Sequence, residues 1–108
     1  MRIIWVLVNC HSIKEAEKIG KTTLKARTAA CFDVFPRASS FYFWPPKKGK
    51  LERAKGATLA IQTLPGYRSR VEKLAKTFHS DTLPFIGTLS IEGVHPRFVA
   101  WMRGELEL

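Results

Sequence analysis

The sequence predicts an α+β fold in the order β-α-β-β-α-β with a short helix behind it. Three observations carry that prediction. A continuous apolar run opens the chain, two stretches of helical period follow at separate places, and two strand-like segments flank a charged connection rich in proline and glycine. With 108 residues and 45% hydrophobic content, the chain suits one domain, 1–108, with an unstapled core.

Residues 2–9 are rich in isoleucine and valine and suit an inner strand. Ser12 followed by Glu15 fits a capping box, in which hydroxyl and carboxylate each take an orphan amide at a helix start. Beyond it Ile13, Ala16, Ile19, Gly20, Thr23 and Leu24 fall on one side, and lysines on the other, which predicts a helix over 13–27. Gly20 costs about 1 kcal/mol of helix propensity, a loss consistent with close packing on a sheet.

Residues 29–44 read as a long strand in which Pro36 marks an edge or a bulge. Past it Ser39, Phe41 and Phe43 alternate with Ser40, Tyr42 and Trp44, so neither side suits free solvation. Residues 45–56 read as the connection, and 57–64 as the returning strand. Pro65 sits well at a helix start. Tyr67, Val71, Leu74 and Phe78 then line one helical side, with Glu72 and Lys76 as an i,i+4 pair. Residues 83–92 form the last strand, and Pro96 opens the final helix.

This order is the split βαβ, or ferredoxin-like, sandwich. Its two helices cover one sheet face and leave the other bare. Here the bare face carries large apolar residues, and the hairpin between the second and third strands is long. Both features argue for self-association.

The balance of 18 Lys plus Arg against 9 Asp plus Glu gives a net charge of +9. Residues 35–56 hold six of the basic residues and only Glu52 against them, so the positive charge concentrates on the hairpin. Such charge attracts an anionic ligand, an acidic protein or nucleic acid. Cys10 and Cys31 form no disulfide framework and read as buried thiols. The opening apolar run is too short for a membrane span, and cytoplasm is the default expectation.

The chain resembles the CutA family, proteins linked to divalent-cation tolerance. Arg27-Thr28-Ala29-Ala30-Cys31 is similar to the family's R/K-L-A-A-C stretch, with Thr28 in place of leucine. Pro36, Ser40-Phe41-Tyr42-Phe43-Trp44 and Gly49-Lys50-Leu51-Glu52 are similar to its proline, its S-x-Y-x-W strand and its G-K-I/L turn. Residues 74–79, Leu83-Pro84 and the stretch from Pro96 to Trp101 agree in order and spacing. The resemblance implies a homotrimer built from the long second and third strands. It also implies a non-enzymatic role in copper or other divalent-metal tolerance, or small-ligand sensing at a cleft.

The same resemblance implies a ligand cleft lined by His79, Asp81, Gln62, Trp44 and Lys50, with His79 as the metal ligand. Each has a plainer reading: Trp44 in interface packing, Lys50 in the turn, Gln62 on a solvated strand face, Asp81 in a cap or turn, and His79 in a hydrogen-bonded pair. The family pattern is also altered. His79-Ser80-Asp81-Thr82 keeps only the histidine of H-P-Y-E/Q, Pro84-Phe85 loses a carboxylate, and Val8 and Phe78 replace metal-associated residues.

Copper and zinc need several converging His, Cys or carboxylate ligands. The candidates are Cys10, His11, Cys31, His79, Asp81 and His95. Catalysis needs a nucleophile, a base and an orienting group, and beyond Cys31 with His79 no such set is visible; phosphate-gripping and dinucleotide motifs are absent. The alternative function is a single-stranded nucleic-acid or anionic-partner module, with the middle-strand aromatics as base platforms. Packing of those aromatics in an interface takes precedence over it.

Overall fold

The computed structural model describes residues 1–106. Strand β1 (Ile3–Cys10) leads into helix α1 (Ile13–Lys25) and then the long strands β2 (Cys31–Trp44) and β3 (Lys50–Thr63). A single 3-10 turn, Pro65–Tyr67, precedes helix α2 (Arg68–Phe78), followed by β4 (Ile86–Ile91) and α3 (Pro96–Leu106). The sheet order is β2-β3-β1-β4, with every pair antiparallel. This is the ferredoxin-like arrangement expected from the element order.

Strand alternation divides the apolar residues between two cores. Val6, Val8 and Cys10 pair with Ile61, Leu59 and Ala57, and all six pack with Ala16 and Ile19 of α1 and Val71 and Ala75 of α2. Ile3 faces the other way and packs with Val99, Met102 and Leu106, alongside Trp5 and Ile91. Helix α3 therefore covers one end of the sheet face expected to be bare. The rest of that face keeps Phe35 and Leu89 about half exposed.

Ser12 is extended at the N-cap of α1, and its hydroxyl accepts from the Glu15 amide at 3.0 Å. Arg27, at φ 57, turns the chain out of the helix, two residues past its last turn. Gly20 lets the Phe32 ring close on α1, since a Cβ there would lie 2.7 Å from it. In α2 the expected Glu72–Lys76 pair gives way to Arg68–Glu72 at 2.9 Å, and Phe78 at the last helical residue stays 44% exposed.

The connection predicted over 45–56 is shorter, because β3 already begins at Lys50. Its charged residues read as a loop, yet they pair with the aromatic stretch of β2: Phe41 with Arg53, Phe43 with Leu51, Trp44 with Lys50. The Arg53 guanidinium lies 6.0 Å from the Phe41 ring centre, a cation–π contact that suits an exposed ribbon. Pairing of β1 with β3 stops at Cys10–Ala57, so the hairpin beyond that point is two-stranded. The ladder shifts register between Arg37 and Ser40, next to Pro36, where the bulge was expected.

Candidate functional site

The end of β1 is where chemistry-bearing side chains meet. Cys10 is the last strand residue and points into the core between sheet and helices. Glu15 stands in the first turn of α1, and His79 caps the end of α2. One ligand atom from each of Cys10, Glu15 and His79 lies within 4.8 Å of the others.

The polar atoms of this cluster already have partners. Glu15 Oε1 accepts from the His11 amide at 2.9 Å, and Oε2 accepts from the Ser80 amide at 3.1 Å. His79 Nε2 meets the Asn9 carbonyl at 2.6 Å, while Nδ1 accepts from the Asp81 amide at 3.0 Å. That pattern matches the tautomer in which Nε2 donates to the Asn9 carbonyl and Nδ1 accepts. Burial first of all, then the neighbouring Glu15 charge, pushes the Cys10 thiol up to about 12, against the opposing effect of Arg37. Cys10 is therefore a protonated, unreactive thiol at neutral pH. Burial opposes the charge of Glu15, but hydrogen bonds from Ser80 and His11 outweigh it and hold the carboxyl below its ordinary value.

The donor set does not fit a resident cation as it stands. A metal would have to strip the proton from Cys10 and take His79 from Asn9 or Asp81. His11 Nε2 and Asp81 Oδ1, 2.6 Å apart, form a more exposed pair beside the cluster.

Next to the cluster lies a cavity of about 490 Å³. Asn9, Cys10 and His11 at the end of β1 form one wall. Arg37, Ser40, Tyr42 and Trp44 of β2 form the second, with Ala54 and Lys55 of β3. Asp81, Thr82, Leu83 and Phe85 close it from the loop before β4. Arg37 crosses from β2 to donate from Nη2 to the Cys10 carbonyl at 3.1 Å, and its buried Nε has no hydrogen-bond partner among the described residues.

Of the residues expected in one cleft, Trp44 and Asp81 do line this cavity. His79 stands just behind it, bonded to the Asp81 amide. Gln62 is elsewhere: it is 7% exposed, donates to Asp33 Oδ2 at 2.7 Å and accepts from Cys31 Sγ at 2.9 Å. It sits five residues along β3 from Ala57, the partner of Cys10, and on the opposite sheet face to Ile61. Nor is it on a solvated strand face. Lys50 pairs with Trp44 at the far end of the hairpin and is exposed, outside the cavity. His95 serves α3, its Nδ1 accepting from the Arg97 amide at 3.1 Å. Sequence reasoning missed Glu15 and Arg37 as site residues. The capping box did single out Glu15, while nothing separated Arg37 from the other hairpin cations.

Together the fold and site describe a small ferredoxin-like protein with a projecting hairpin and a hollow at its base. Residues 4–105 match the family model described as "CutA1 divalent ion tolerance protein", and the chain belongs to that family. It is 31% identical over 103 residues to the divalent-cation tolerance protein CutA of Archaeoglobus fulgidus, covering 95% of this chain and 97% of that one. The solved structure described as the periplasmic divalent cation tolerance protein CutA from Archaeoglobus fulgidus superposes with a TM-score of 0.89 at 31% identity, over 99% of this chain and 100% of that one. The solved divalent cation tolerance protein of Thermus thermophilus gives 0.86 at 25% identity, over 95% and 97%. No helix among the described residues is long and apolar enough to cross a membrane.

Proposed function

We propose that this chain acts as a non-enzymatic, homotrimeric tolerance protein that senses a small ligand in divalent-metal stress. The observation that carries the reading is the hairpin. Among the described residues its distal half pairs with no other strand, yet it exposes Phe41 by 61%, Phe43 by 75% and Leu51 by 63%. A lone two-stranded ribbon is marginal in water, and so much aromatic surface calls for cover. Further copies of the same chain provide that cover. The free thiols of Cys10 and Cys31 accord with a cytoplasmic setting.

Light scattering at micromolar concentration is expected to return three times the chain mass. Phe43 and Leu51 face each other across the ladder, so Phe43→Asp with Leu51→Asp is expected to yield monomers. A monomeric wild type, or a double variant that stays trimeric, would overturn the reading.

Copper or another divalent cation enters this reading as the stress, not as a resident cofactor. Calorimetric titration with cuprous and cupric ions is expected to give binding no tighter than about millimolar, since hydrogen bonds and a thiol proton stand in the way. Micromolar binding that His79→Ala abolishes would instead make His79 a ligand.

A further inference from the structure

We infer that the cavity at the base of the hairpin binds a small planar organic anion, an aromatic carboxylate or phosphate ester. Its acid group lies toward Arg37, and its ring lies against Tyr42 and Trp44. This deepens the small-ligand half of the reading above and names the ligand class.

The first argument is volume. About 490 Å³ falls within the ~300–1,000 Å³ of small-molecule sites. The second is charge. Arg37, Lys55, His11, Asp81 and Tyr42 are the residues of charged or titratable type that line the cavity besides Cys10. Asp81 is held by His11 at 2.6 Å, and among the described residues neither Arg37 nor Lys55 has a carboxylate partner. Among the described residues, then, the Arg37 guanidinium at the cavity wall has no carboxylate bonded to it. The third is the state of Arg37. Its guanidinium is partly buried, with one bond to a carbonyl and its Nε without an acceptor. A guanidinium withdrawn from water without a counter-charge is costly, and a bound anion offsets that cost.

The fourth argument is shape. By alternation Ser40, Tyr42 and Trp44 project from the same side of β2, so two aromatic rings and a hydroxyl stand in line on one wall. Rings that supply area at little entropic cost, beside an arginine, suit a flat body with an acidic end. A bare inorganic anion would leave the aromatic wall unused, and a bare cation would meet like charge.

The test is a proton–nitrogen NMR titration of the full chain with benzoate and with phenyl phosphate, against neutral benzamide. Saturable shifts are expected at the Trp44 indole N–H and the Arg37 Nε–H, with benzamide binding at least ~10-fold more weakly for want of the charge-assisted bond. The better of the two anions tells carboxylate from phosphate. Arg37→Lys is expected to weaken binding ~10-fold, because lysine lacks the bidentate fork. Shifts that never saturate, that spread over Lys47, Lys48 and Lys50 and vanish with salt, or that benzamide reproduces equally would overturn the inference. A trimer that ignores both anions sinks this inference alone, whereas a monomer that binds them sinks only the oligomer.

Discussion

Glu15→Ala is expected to lower the unfolding free energy by about 2–3 kcal/mol at neutral pH, read by urea denaturation, because two charge-assisted hydrogen bonds go with it. The carboxylate ties three segments together: its own helix, the His11 amide just past β1, and the Ser80 amide in the loop after α2. Removing it leaves two amides to water and loosens the loop that carries Asp81 to the cavity. The charge itself also contributes, since the folded state holds the Glu15 carboxyl below its ordinary value. A depressed carboxyl stabilises the fold fully above the unfolded value, and that contribution disappears as pH falls through the folded one. Wild type is therefore expected to lose stability on acidification from this group, and Glu15→Gln to show a smaller loss at neutral pH together with a flatter acid limb. An acid limb in Glu15→Gln as steep as in wild type would show that other carboxyls carry the acid sensitivity.

What the sequence made legible follows the strength of the physical signal. Element order came from apolar period, and Ser12 with Glu15 announced the start of α1 because capping is local chemistry. Pro36 announced the register shift because a missing amide cannot be hidden in a ladder. The extent of β3 was not legible. Lys50, Glu52, Arg53 and Lys55 have the composition of a loop, and only the partner strand decides that they form a ladder. The covering of Ile3, Trp5 and Ile91 by α3 depends on where a terminal helix docks, which periodicity does not contain.

The same limit explains the site. Trp44 and Asp81 reach one cavity because a bulge and a loop bring them there. Gln62 was grouped with them through a family position, and the register places it beside Cys31 and Asp33 instead. His79 and Asp81 do meet, but through a backbone amide, while the Asp81 carboxylate turns to His11. Pairings over a separation of seventy residues follow from packing rather than from spacing along the chain.

Gly56→Ala is expected to cost about 1–3 kcal/mol and to impair the cavity with it, because the added methyl has no room between β1 and Arg37. A Cβ there would clash with both the Cys10 carbonyl oxygen and Arg37 Nη2. The arginine can swing away, but the carbonyl belongs to β1, whose Cys10 is in the ladder with Ala57. Relief must therefore come from the backbone at the point where sheet, hairpin and cavity join. Arg37, once displaced, loses its bond to the Cys10 carbonyl and its position at the cavity wall. The contrast is Gly104 in α3, where a Cβ would meet nothing within 4 Å. There alanine is expected to raise stability by up to about 1 kcal/mol through helix propensity alone. If Gly56→Ala matched Gly104→Ala in denaturation and kept its benzoate shifts, Arg37 would not be held by that crossing. If it lost stability and the shifts together, the glycine would serve the ligand as well as the fold: it is the gap through which an arginine from β2 reaches the end of β1.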